Sequence, residues 1–293
     1  MQEDCYDKAV MGIAEYVYTT LCRPPWIRSL VNRAILWILP TSVRVGDALV
    51  MINPRDPVVS GALTLGVYET TEIALMARLC KPGYVMVDVG ANVGLYTAIA
   101  GLAVGPEGRV LAFEPEPESF TFLQKTVAVN ELANTCIVRA AASNENGYTQ
   151  LFTSSSNRGD HRMYNNTQAD GCAEVRTVCL DDFLQSEGVR QVDVIKIDVQ
   201  GFEGHVVEGL EQTIRRSSRL CMLIEFWPEG LRSAGTDPSE FLLRLGNMGL
   251  TLHEIGPAGK VERVPDPNAL VTRLQGRRYA NLFLTGAQAK WSE

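Results

Sequence analysis

The run Val87-Asp88-Val89-Gly90-Ala91-Asn92-Val93-Gly94 constrains this chain more than any other stretch. It reads as an apolar strand ending in an acidic residue, then a glycine-bearing turn that opens a helix over Leu95 to Leu102. Such a turn lays main chain bare at the carboxyl end of a strand, where a nucleotide-like cofactor approaches the backbone closely. The spacing is Asp-x-Gly-x-Asn-x-Gly. A dinucleotide fingerprint needs Gly-x-Gly-x-x-Gly, and no third glycine stands where a pyrophosphate requires it. An acidic side chain pointing into the pocket suits a cationic ligand better than a phosphate. S-adenosylmethionine, with its amino and sulfonium charges, is such a ligand.

A chain of 293 residues is long enough for one large α/β domain with an extension, or for two small domains. Its net charge of −7 argues against a nucleic-acid partner, whose phosphates call for a basic face. The 7 cysteines are scattered singly, odd in number and without a Cys-x-x-Cys pair, which points to free thiols in a reducing compartment. Met1-Gln2-Glu3-Asp4 lacks the basic start of a secretory signal, and no apolar run reaches the roughly 18 residues that span a bilayer. A cytoplasmic location is the expectation.

Residues 8–22 and 26–39 carry helical apolar patterns, and Val43 to Ile52 alternates around the turn signal Gly46-Asp47, a β-hairpin. Leu65-Gly66-Val67-Tyr68-Glu69 leads into a helix over Thr70 to Cys80. From Tyr84 onward strands and helices alternate, the signature of a parallel sheet with crossovers. Strands are expected at 84–88, 109–113, 136–141, 192–197, 220–226, 250–255 and 281–284. An inserted strand pair is expected at 148–153 and 174–178, around a polar loop, and helices at 119–130, 181–185, 204–216 and 238–248.

Gly90 and Gly94 permit the tight turn and close backbone approach. Asn92 either hydrogen-bonds the cofactor or holds the turn. Glu114 ends the second strand 20 residues beyond Gly94, where a carboxylate can accept from both ribose hydroxyls. Ala140-Ala141-Ala142-Ser143 offers small residues against which an adenine ring can lie.

VDVGANVG, FEPEPE (113–118), VRTVCLDDFL (175–184) and IKIDVQGFEG (195–204), with LGVYE (65–69) and LIEF (223–226), together resemble the FkbM-type S-adenosylmethionine-dependent methyltransferases. The likeness runs from about residue 65 to the C-terminus. It implies a Rossmann-like methyltransferase fold: a mostly parallel seven-stranded sheet with helices on both faces. Residues 1–64 then form a helical and hairpin extension and residues 65–293 the methyltransferase domain. Asp88, Gly90, Asn92, Gly94, Glu114 and Asp198 are the cofactor contacts it implies, and Glu69 and, from the small-residue run, Ala142 complete the expected set. Gln200 departs from the family, which often has glutamate there.

The resemblance also implies methyl transfer to a hydroxyl of a sugar or secondary metabolite, and a neutral alkyl hydroxyl needs a base or a divalent cation to activate it. Asp198, at the end of the fourth strand, is the leading candidate base. Glu225, ending the fifth, either shares its cleft or pairs with an arginine. The two together could bind Mg²⁺ through oxygen ligands. His161, in the polar loop, is the third catalytic candidate, since only 3 histidines exist. The competing readings are an RNA or protein methyltransferase, and a non-catalytic cofactor-binding scaffold that partners other proteins through the N-terminal helices. The same helices could join a homo-oligomer.

Overall fold

The structure, a computed structural model, describes residues 36–37, 39–154, 161–164, 169–256, 259–276 and 278–291. The helical segments expected at 8–22 and 26–39 lie outside these residues, apart from Leu36, Trp37 and Leu39. The first regular element is the expected hairpin, β1 (Ser42–Val45) and β2 (Ala48–Met51), closed by the two-residue turn Gly46-Asp47 with Val45 opposite Ala48. Ala48, Val50 and Ile52 are buried and share one apolar cluster with Leu75, Met86 and Val110 of the main domain. The Asn130 side chain fastens the hairpin from outside, accepting from Leu49 N at 2.9 Å and donating to Leu49 O at 2.7 Å.

Two helices follow, α1 (Val59–Thr64) and α2 (Thr70–Leu79). The alternating part then begins with β3 (Val85–Val89), α3 (Leu95–Val104), β4 (Arg109–Phe113), α4 (Pro117–Val129) and β5 (Thr135–Val138). A small sheet interrupts it, formed by β6 (Ala141–Ser143), β7 (Gly147–Thr153) and β8 (Gly171–Cys179) in the order β6-β8-β7. After α5 (Leu180–Ser186) come β9 (Val194–Ile197), α6 (Glu203–Glu208), α7 (Glu211–Arg216), β10 (Cys221–Phe226), α8 (Pro228–Ser233) and α9 (Pro238–Asn247). The described fold closes with β11 (Thr251–Ile255), β12 (Val261–Arg263), α10 (Pro267–Arg273) and β13 (Ala280–Thr285).

The large sheet has the order β12-β11-β13-β10-β9-β3-β4-β5. Its five strands from β10 to β5 are parallel, and β13 inserts antiparallel between β10 and β11. The strands β3, β4 and β9 are almost wholly buried, which is why they read as continuous apolar runs rather than alternating ones. The seven expected strands are all present, and the three-residue edge strand β12 makes an eighth. Strand order reverses between β3 and β9, so a crevice opens beyond their carboxyl ends.

Three differences from the sequence expectations have local causes. The third strand stops at Val138, and Ala141–Ser143 turns away to pair with β8. The helix expected at 204–216 breaks into α6 and α7, because Gly209 O accepts from Asp181 N while the Asp181 carboxylate accepts from Gln212 N and Thr213 N and caps the second piece. The helix expected from Ser119 begins at Pro117, since proline fits a first helical turn and Glu116 caps it through Ser119 N.

Candidate active site

The loop after β3 is held between its two neighbouring strands. Gly90 N and Ala91 N both donate to Phe113 O at 3.0 Å, and Asn92 N donates to Glu114 Oε2 at 2.8 Å. Gly90 has φ +80°, and a Cβ built on it would lie 2.0 Å from the backbone oxygen of Asp198. Only glycine lets the ends of β3 and β9 meet this closely. Gly94 serves packing instead, facing Leu123 and Thr126 of α4.

Asp88 lies beneath this loop rather than in the cleft. The strand runs one residue past it, so its side chain stays within the sheet's layer, 1% exposed, and accepts from Thr97 Oγ1 of α3 at 2.5 Å. Burial raises its carboxyl to about 6, against the lowering effect of Thr97 and of Lys196, its neighbour across the β3–β9 pair. The expectation of an acidic side chain aimed at the ligand is therefore not what the geometry shows; the main chain after Asp88 forms the wall.

Glu114 does line the cleft, 6% exposed, with its second oxygen accepting from Glu116 N at 2.8 Å. Burial pushes its carboxyl up to about 7 despite the two backbone donors. Ala140, Ala141 and Ala142 provide an apolar wall beside it. The space between these elements amounts to about 300 Å³, at the lower end of small-molecule sites.

The far end of the cleft is polar. Lys196 Nζ donates to Asp198 Oδ2 at 3.1 Å, and Gln200 Nε2 donates to Asp198 Oδ1 at 2.9 Å and to Glu225 Oε2 at 3.0 Å. Glu225 thus pairs with a carboxamide, not with an arginine. Burial, then the Asp198 and Glu203 charges, push its carboxyl well above the usual range. Burial alone would lower the Lys196 ammonium, yet Asp198, Glu69 and Asp88 around it hold it above an ordinary lysine. Its Nζ also lies 4.8 Å from the centre of the Tyr96 ring. Tyr96 OH donates to Glu69 Oε2 at 2.5 Å, which brings Glu69, at the start of α2, to the same end. His161 reaches the cleft from the loop between β7 and β8, and Tyr279 from the start of β13.

The structure therefore gathers Glu69, Gly90, Asn92, Glu114, Ala142, His161, Asp198 and Glu225 around one cleft and leaves Asp88 and Gly94 behind its wall. His205 is occupied elsewhere, stacked on Phe202 at 4.1 Å. Sequence reading missed Lys196, Tyr96 and the bridging place of Gln200. Lys196 had a signal: a lysine inside the apolar strand Val194–Ile197, two residues before Asp198 and so on its face.

The donor set tests which ligands fit. Carboxylates at Glu69, Glu114, Asp198 and Glu225 outnumber the single lysine among the described lining residues, which suits a cationic group beside a nucleoside. A divalent metal does not fit the Asp198–Glu225 pair, because an ammonium and a carboxamide already donate to it. Among the described residues no group of three or more His, Cys, Asp or Glu is placed to hold a metal ion.

A doubly wound α/β sheet with a glycine-walled cleft at its switch point defines a nucleotide-cofactor enzyme of the Rossmann-like class. The chain's own match is narrower: the family model for the methyltransferase FkbM domain fits residues 88–247, more than half of the chain, and the chain belongs to that family. It is 26% identical over 174 residues to the hexuronic acid methyltransferase AglP of Haloferax volcanii, covering 59% of this chain and 65% of that protein. It is 27% identical over 159 residues to the 2-O-methyltransferase NoeI of Sinorhizobium fredii, covering 49% of this chain and 64% of that one. The chain thus spans just under two thirds of the length of these two relatives. A solved methyltransferase FkbM from Methylobacillus flagellatus aligns with a TM-score of 0.42 and 15% identity, over 88% of this chain and 59% of that one.

Among the described residues no helix is long and apolar enough to cross a membrane. The five cysteines among them, Cys80, Cys136, Cys172, Cys179 and Cys221, are free thiols.

Proposed function

We propose that this protein is an S-adenosylmethionine-dependent O-methyltransferase that acts on a hydroxyl of a sugar or another small hydroxylated molecule. One observation carries the reading. Asp198 lines the cleft with its side chain 19% exposed, each oxygen accepting one hydrogen bond and keeping a lone pair, at the end of β9 where its backbone meets Gly90. The names of the two relatives, a hexuronic acid methyltransferase and a 2-O-methyltransferase, support the acceptor class.

Glu114 would take the ribose hydroxyls, Ala140 to Ala142 the adenine face, and the Gly90–Asn92 backbone the flank of the nucleoside. Glu69 and the other carboxylates around Lys196 favour the donor's positive end. When bound, S-adenosylmethionine supplies a methyl group on a sulfonium, an electrophile that needs no further activation. The remaining work is to align the acceptor oxygen and remove its proton. Asp198 is placed to accept that proton, with Lys196 Nζ donating to its Oδ2 and fixing the direction of the carboxylate. His161 lines the same cleft, where it can orient or relay. The pair Asp198 and Glu225 carries no metal in this scheme.

Isothermal titration tests the cofactor: S-adenosylmethionine and S-adenosylhomocysteine bind, and nicotinamide dinucleotides do not. Binding of the dinucleotides alone would overturn the reading. Mass spectrometry of neutral glycosides and uronic acids incubated with enzyme and methyl donor then reads a gain of one methyl group on oxygen.

A further inference from the structure

The residue that joins the two candidate catalytic carboxylates is Gln200, and the fold takes trouble to place it. It adopts φ +54°, a left-handed conformation unusual for a residue with a side chain. Gly201 follows, and a Cβ there would meet the Gly230 backbone at 2.7 Å, so the loop is pressed against α8. On either side, Val199 N and Gly201 N donate to the same oxygen of Glu203 at 3.2 and 3.1 Å. That carboxylate is 1% exposed, and its bonds clamp the backbone flanking Gln200. The strained residue is thus held from three directions, and backbone strain so maintained gathers at functional positions.

The side chain so placed faces two acceptors. Two carboxylates leave the carboxamide one favourable orientation, with its NH₂ inward and one N–H for each. We propose that Gln200 is a positioning residue, its NH₂ group shared between Asp198 and Glu225 so that both carboxylates stay in one orientation at the methyl-transfer end of the cleft. The proposal rests on the O-methyltransferase reading of that cleft. Lys196 and Glu203 bear on the same pair, Glu69 and Tyr68 face it from the turn before α2, and Tyr279 from β13. Lys196 touches Asp198 alone, and Gln200 is the group that donates to both carboxylates. Without it, the two carboxyl groups share an enclosed space with no common donor, and Asp198 keeps only the Lys196 bond to hold it on the line of the acceptor.

Gln200→Met keeps the length and volume of the side chain while removing its NH₂. A role in filling space tolerates it. The proposal expects kcat to fall on the order of 100-fold, with KM for methyl donor and acceptor within about threefold, since alignment rather than binding is lost. Gln200→Met at wild-type kcat overturns it, and so does a loss confined to KM. A second measurement covers variants that fail to fold. In wild-type protein with ¹⁵N-labelled glutamine, both Gln200 side-chain N–H protons should resonate downfield. One should return to the free position in Asp198→Asn and the other in Glu225→Gln. Absence of the shifted pair refutes the bridge. A wild type that methylates no hydroxylated acceptor removes the activity reading instead, and the bridge is then judged by these signals alone.

Discussion

Replacing Gly90 by alanine tests how the cleft wall is built. Two costs are separable. The first is conformational: an alanine at φ +80° pays roughly 1–2 kcal/mol for the left-handed region. The second is contact: the new Cβ would sit 2.0 Å from Asp198 O, whereas a comfortable carbon–oxygen approach is about 3.3 Å. The obstacle is backbone, so no side chain can swing aside. The ends of β3 and β9 must separate by on the order of 1 Å, and the total destabilisation should reach about 3 kcal/mol or more. Gly46 is the control, because at φ +57° a Cβ there meets nothing within 4 Å and only the first cost applies. Urea denaturation of both variants should therefore show Gly90→Ala losing at least about 1 kcal/mol more than Gly46→Ala. Displacing the wall by that distance should also cut turnover on the order of 100-fold, while Gly46→Ala turns over normally. Equal stabilities and equal turnover in the two variants would show that the strand ends do not meet as described.

Asp198→Asn removes the proposed base and should lower kcat on the order of 10³-fold with S-adenosylmethionine affinity within about threefold by calorimetry; unchanged turnover eliminates Asp198 from the chemistry. Glu114 gives a pH signature. Its folded carboxyl stands near 7 against an ordinary 4.5, so between those values the unfolded chain has released a proton the fold retains, and stability falls as pH rises through the window, by at most about 3 kcal/mol. Measured by urea denaturation of the ligand-free protein, the stability of wild type relative to Glu114→Gln should drop between pH 5 and 8, and a constant gap contradicts the buried placement. EDTA should leave methyl transfer within twofold, whereas restoration by Mg²⁺ of activity lost on chelation would reinstate the metal that the Lys196 and Gln200 donors argue against. Asn130→Ala should loosen the hairpin and cost about 2 kcal/mol, seen as faster amide exchange at Leu49 and Met51.

The strand and helix pattern from Tyr84 to Phe226 was largely legible, because strands buried on both faces announce themselves as apolar runs and glycine turns separate them from helices. The breaks were not. Nothing near residue 209 in the chain says that Asp181, some thirty positions away, will capture Gly209 N-terminal to α7 and stop one helix to start another. The candidate site divides in the same way. Gly90, Asn92, Glu114 and Asp198 sit at strand ends in recognisable order. Tyr96 and Glu69 meet only because α2 and α3 pack side by side, and no local pattern encodes that.

By itself, then, the amino-acid sequence determined the glycine wall of the cleft and the family, since both depend on short-range backbone demands: a positive φ at Gly90, a turn after a strand, a carboxylate at the next strand's end. Tertiary structure alone decided which acidic groups face the cleft. It extended β3 one residue and so turned Asp88 under the floor, set Lys196 beside Asp198, and brought Glu225 within reach of Gln200. The physical reason is that a side chain's charge state and direction follow from burial and from neighbours across the sheet, and those neighbours are chosen by strand order, not by adjacency in the chain.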